Sequence, residues 1–114
     1  MAGALMAMVG TLGSAPMTAT IAAGSIQAGS ASSFAFGTNT VTIQNGTGPF
    51  TYVWKRLSVV GTWTAASSTV NQTVTASSIA PSNTVSCTYY CTVTDTFTSK
   101  SVDTNQAYYE YNRA

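Results

Sequence analysis

The chain has 114 residues, a formal net charge of +1 and charged side chains at only 6% of positions, with no His. That length supports one core but not two. Lys55, Arg56, Lys100 and Arg113 form no patch able to neutralise several phosphates, which argues against nucleic-acid binding. Asp95, Asp103 and Glu110, scattered and without His, leave metal chemistry and paired-carboxylate catalysis almost no raw material, so no enzyme and no cofactor is expected. Thr at 20 positions and Ser at 14 must supply most of the polar surface. Such a surface is common in extracellular and assembled β proteins, because Thr favours strands.

The first stretch, 1–13, carries Leu5, Met6, Met8, Val9 and Leu12 among alanines and is broken by Gly3, Gly10 and Gly13. No Lys or Arg precedes it, so it lacks the charged start of a secretory signal, and it falls short of the about 20 apolar residues that span a bilayer. We expect no membrane span. The chain is read as a lone module starting at its own Met, with this stretch retained as an arm that packs on a neighbouring subunit. From Ser14 to Ser33 the composition is that of a linker, with a possible first edge strand near Thr18–Gln27. Residues 1–33 are thus assigned to arm and linker, and 34–114 to a sandwich.

Within the sandwich, Phe34-Ala35-Phe36 leads through Gly37 into an alternating strand over Thr38–Gln44, with Val41 and Ile43 facing in. Asn45 to Pro49 is a turn. It launches Phe50-Thr51-Tyr52-Val53-Trp54, in which Phe50, Tyr52 and Trp54 share one face of a strand running to about Leu57. Alternation sends Lys55 to solvent and leaves Arg56 partly inward. Val59–Thr64 holds Gly61 and Trp63 and predicts a turn and a short strand. Thr69–Thr75 alternates again, with Val70 and either Gln72 or Val74 inward, and Ser77–Asn83 is a crossing loop. The run Val85 to Asp95 then places Val85, Cys87, Tyr89, Cys91 and Val93 on one face and mostly hydroxyl side chains on the other. A last strand is predicted over Lys100–Tyr111, after a turn at Thr96–Ser99.

Seven or so short strands with regular turns, and no helix outside the arm, predict an all-β antiparallel sandwich. Its core is assigned to Val41, Ile43, Tyr52, Trp54, Val85, Tyr89, Cys91 and Val93. Cys87 and Cys91, four apart in one strand, would lie roughly 13 Å apart at ~3.3 Å per residue. A disulfide needs Cα atoms within about 7 Å, so two buried free thiols are expected, with pairing to a partner chain the alternative.

Gly48-Pro49-Phe50-Thr51-Tyr52-Val53-Trp54 and Tyr89-Tyr90-Cys91-Thr92-Val93-Thr94-Asp95 together resemble an immunoglobulin-like module of the bacterial and phage type, similar also to polycystic-kidney-disease domains. The resemblance covers about residues 34–111. It implies that Trp54 is the core Trp of the third strand and that Tyr89 is a tyrosine-corner residue bonded to the backbone of the preceding loop. Val41 and Ile43 stand where an antibody-type domain has its other cysteine, so no cross-sheet disulfide is implied. Modules of this kind resemble those of phage tail, fibre and capsid decoration proteins, and of bacterial surface adhesins.

Two functions follow as expectations. One is a structural virion protein of a bacteriophage, a capsid decoration or tail/fibre attachment subunit, with other virion proteins and its own copies as partners. The other is a carbohydrate-binding or adhesion module of a bacterial surface, outside the cell. In it Trp63, Tyr108, Tyr109 and Tyr111 would form an aromatic platform for a glycan, since flat rings stack on sugar faces. Asn45-Gly46-Thr47 and Asn71-Gln72-Thr73 match the glycosylation acceptor pattern, which a Thr-rich chain generates by chance. Asp95 and Asp103 supply too few carboxylates for calcium, and Asp95 is expected to close a turn.

Overall fold

A computed structural model describes residues 15–114, and the arm residues Leu5, Met6, Met8, Val9 and Leu12 lie outside that span. The described residues form strands and no helix. In chain order these are β1 (Thr18–Thr20), β2 (Ile26–Gly29), β3 (Phe34–Thr40), β4 (Thr42–Gln44), β5 (Phe50–Val60), β6 (Thr62–Trp63), β7 (Asn71–Ser77), β8 (Thr84–Asp95), β9 (Lys100–Asp103) and β10 (Ala107–Arg113). The largest sheet runs β2-β10-β8-β5, with β9 extending the β8 ladder; a second runs β3-β7-β6, and β1 pairs with β4. The fold is all-β and sandwich-like.

The two runs that dominate the sequence are neighbours in space. Strands β5 and β8 pair antiparallel from Phe50 opposite Asp95 to Val60 opposite Ser86, placing Trp54 beside Cys91. Because a strand alternates its faces, Val85, Cys87, Tyr89, Cys91 and Val93 all turn inward and are buried. Trp54 and Val41 are buried with them, while Ile43 and Tyr52 are half-buried at the margin. Strand β7 adds Gln72, Val74 and Ala76 from the opposing sheet, so Gln72 and Val74 both face in. Cys87 and Cys91 are free and buried on the one strand.

Three expected strands break in two, and Thr38–Gln44 does so between β3, which pairs with β7 as far as Thr40, and β4, which pairs with β1 from Thr42. The stretch read as one edge strand, Thr18–Gln27, splits because the chain changes sheets: β1 pairs with β4, whereas β2 runs parallel to β10. Backbone stripped of its ladder must find other partners. Asn39 accepts from the Ala22 N–H at 2.9 Å and donates to the Ala22 carbonyl at 2.9 Å. Asn105 does the same for Ile21, at 2.8 and 3.0 Å. Two asparagines thus stand in for missing strand neighbours. Ala19 and Ile21 consequently join the core, so the region read as linker is part of the folded sheets. The expected strand Lys100–Tyr111 also divides, where Thr104 leaves regular pairing and its hydroxyl accepts from the Cys91 N–H at 2.9 Å.

Tyr89 departs from its expected partner. Its hydroxyl donates to the carbonyl of Thr64 at 2.6 Å, not to the 78–83 loop that directly precedes β8. The ring therefore fastens the segment after β6 to the large sheet. At Gly24 an added Cβ would sit 1.8 Å from the Tyr108 carbonyl oxygen, so only glycine allows the chain to lie this close to β10 before β2 begins.

Candidate functional site

The residues nominated as a sugar platform do not make one. Alternation along β10 turns Tyr109 and Tyr111 inward and Tyr108 outward, so they cannot share a surface. Trp63, Tyr109 and Tyr111 are only 5%, 6% and 2% exposed. Their rings build the core instead: Phe36 stacks on Trp63 at 5.6 Å and meets Tyr109 edge-on at 5.1 Å, and Phe34 stacks on Tyr111 at 4.9 Å. Each polar tip is used internally. Trp63 Nε1 donates to the Val60 carbonyl, the Tyr109 hydroxyl accepts from Asn39 Nδ2, and the Tyr111 hydroxyl accepts from the Ala31 N–H. The platform expectation is therefore corrected.

One end of the fold is organised by Asp95. Its carboxylate accepts from the N–H groups of Thr47 at 2.8 Å, Gly48 at 3.2 Å and Phe97 at 2.9 Å, tying the 45–49 turn to the turn after β8. These donors, that of Thr47 foremost, hold its pKa below the usual carboxylate range against the opposing effect of burial. Asp95 thus closes its turn, as its position in the sequence suggests, and also fastens a second one. Beside it lies an open cleft of about 410 Å³, bordered by Ala15, Met17, Asn45, Thr98 and Lys100. Ala15, the first described residue, borders this cleft.

The outer face of the large sheet is the second candidate. Register places Leu57, Thr88 and Tyr108 side by side across β5, β8 and β10, and in the adjoining row Val60, Ser86, Glu110 and Ile26 across four strands. Ile26 is 63% exposed, Val60 53%, Tyr108 44% and Leu57 38%. Tyr108 donates its hydroxyl to Glu110 at 2.6 Å, and Asn112 donates to the other carboxylate oxygen at 2.8 Å. The first of these bonds both lowers the Glu110 pKa and raises that of Tyr108. The one anion in this corner is held by its own neighbours, and around it the exposed Ile26, Leu57, Val60 and Tyr108 are interleaved with Ser86 and Thr88.

The same face carries Lys55, whose ammonium lies 5.7 Å from the centre of the Tyr90 ring. Arg56, expected partly inward, is exposed and reaches the Trp63 carbonyl at 3.3 Å. Nothing among the described side chains makes a reactive centre. Burial pushes the Cys91 thiol up to about 11 and raises that of Cys87, which disfavours the nucleophilic thiolate. No group of three His, Cys, Asp or Glu able to hold a metal occurs among the described residues.

A comparison of the chain with known protein families, curated proteins and solved structures found no match. The apolar corner was missed by reading the sequence for aromatics. Its partial signal is a change of phase: Leu57 and Val59 fall out of step with the inward set of Phe50, Tyr52 and Trp54, whereas Val60 keeps that spacing and is turned outward only by the register shift between Leu57 and Val60.

Proposed function

We propose that this protein is a structural subunit of a bacterial virus, a capsid decoration or tail/fibre attachment protein held to its neighbours through residues 1–13. The observation that carries this reading is the conjunction of an uncharged apolar segment at one end of the chain with an exposed apolar corner on an otherwise hydroxyl-rich sheet. Burying such surface stabilises an assembly by roughly 25 cal/mol per Å² of apolar area. Exposed apolar patches on a folded domain mark interaction sites. The charge-poor Thr/Ser surface supports a place in an assembled particle.

An immunoglobulin-like module suits this reading. Supporting it are the division of the N-terminal strands between two sheets, the pairing of Trp54 with Cys91, and Tyr89 two residues before that cysteine. The bacterial adhesion reading loses its platform, since three of its four rings are core residues.

Deletion of Met1–Gly13 tests the proposal. The shortened chain is expected to fold, since the core is built from residues beyond the deletion, and to lose both self-association and capture on particles from its source. Native mass spectrometry with cross-linking reads both. An unfolded product, or a full-length chain that stays monomeric and ignores particles, refutes the proposal.

A further inference from the structure

We infer that the apolar corner formed by Ile26, Leu57, Val60 and Tyr108 receives residues 1–14 of a second copy, so that the chains associate head to tail. This rests on the assembly reading above and names the surface that the reading leaves open. Ala15 and the corner lie at opposite ends of the fold. Ala15 borders the cleft beside Asp95, which pairs with Phe50 at the start of β5, whereas the corner lies where Val60 pairs with Ser86. The nine steps along β8 from Ser86 to Asp95 span roughly 30 Å at ~3.3 Å per residue.

That distance separates attachment in the same chain from attachment to a neighbour. Even fully extended, the three residues from Ala15 back to Leu12 reach only about 11 Å and the six back to Val9 about 22 Å. In its own fold the segment could bring Leu5 and Met6 to the corner but would leave Val9 and Leu12 off it. On a neighbouring copy the entire apolar stretch can lie across the four strands. Charge favours the same occupant. Residues 1–14 contain no charged side chain, so covering the corner desolvates only Glu110, which already accepts from Tyr108 and Asn112. Two sheets laid face to face would instead desolvate Lys55 and Glu110 of both copies, at a cost that pairing rarely repays in full.

A contact between two different surfaces is heterologous and propagates into rings or filaments, not closed two-fold dimers. The test mixes two full-length variants, Met6→Cys and Val60→Cys, with a short bis-maleimide; the native thiols are buried. The expected product joins Met6→Cys of one chain to Val60→Cys of the other. Full-length Val60→Asp, folded by circular dichroism, should weaken self-association by about tenfold or more, and Leu57→Asp serves if Val60→Asp fails to fold. Assembly that persists without this cross-link, or with Val60→Cys joined only to itself, overturns the inference and leaves the assembly reading standing. A double variant of Leu12→Cys with Val60→Cys that cross-links within one dilute monomer also overturns it, by placing on its own fold a residue that the distance argument keeps off it. A full-length chain that never associates removes both.

Discussion

Strands β5 and β8 are nearly equal in length and lie side by side in one sheet, yet they bury their side chains differently. Along β8 every second residue from Val85 to Asp95 is buried. Along β5 the alternation lasts from Phe50 to Trp54, after which everything to Val60 is exposed. The cause is what lies on each side. Strand β8 is flanked by β5 on one edge and by β10 and β9 on the other, whereas β5 ends the sheet and has a register shift between Leu57 and Val60. Alternation in a sequence becomes burial only where a second layer covers the strand. Leu57 and Val60 stand opposite the outward residues Thr88 and Ser86, so they turn to the outer face of the sheet and stay exposed.

The largest expected effect breaks the part of β5 that is covered. Trp54→Ala should cost about 3 to 5 kcal/mol, enough to leave a module of this size largely unfolded. The ring is 2% exposed, and its Nε1 donates to the Thr69 carbonyl at 2.8 Å, so cavity and lost hydrogen bond act together. Urea unfolding followed by Trp fluorescence measures it, with Trp63 as the remaining reporter. A smaller loss is expected for Asn39→Ala, about 1 to 3 kcal/mol, because Ala22 keeps a backbone N–H and carbonyl without their partners and the Tyr109 hydroxyl loses its donor. Hydrogen exchange at Ala22 should rise more than exchange in β8.

These two substitutions also mark where the sequence was legible. Trp54 announced itself through a glycine-proline turn followed by aromatics at even spacing, a local pattern with a local cause. The inward face of β8 was equally plain. Asn39 was not, because its role depends on a chain crossing seventeen residues away that no local pattern encodes. The aromatic platform failed for a related reason. Tyr108, Tyr109 and Tyr111 read alike in sequence, and only pairing with β8 and cover by Phe34 and Phe36 separate the outward ring from the two inward ones. The apolar corner draws on three strands, β2, β5 and β10, from distant parts of the chain. Its members look ordinary until register gathers them.

Acid should loosen the Asp95 end before it touches the apolar layers. The folded pKa of Asp95 is depressed, so the stabilisation it gives is complete above the ordinary carboxylate pKa of about 3.9 and is lost as pH falls through the lower folded value. Protonation removes the acceptor strength that joins the 45–49 and 96–99 turns. Asp95→Asn should lower the melting temperature at neutral pH and flatten its decline in acid, as scanning calorimetry from pH 7 to pH 2 would record. An unchanged acid slope would mean that the turns are held by something else, such as the bonds that Thr96 makes to the Pro49 carbonyl.

The smallest effect sharpens the comparison most. Valine to threonine keeps the shape and exchanges a methyl for a hydroxyl, so the same change can be made on both strands. Val93 on β8 is fully buried, and Val93→Thr places a hydroxyl among apolar neighbours, at an expected cost of about 1 to 3 kcal/mol. Val60 on β5 is 53% exposed, and Val60→Thr should stay within about 0.5 kcal/mol, because the hydroxyl remains in water and Thr suits a strand as well as Val does. Urea midpoints for the two variants, measured at concentrations where the chain is monomeric, give the contrast directly. Equal losses would mean that the end of β5 is covered in the folded monomer and that the corner is not free to receive a partner. A loss confined to Val93→Thr leaves the methyl of Val60 with no part in holding its own fold together, and therefore free to contribute to a contact with another chain.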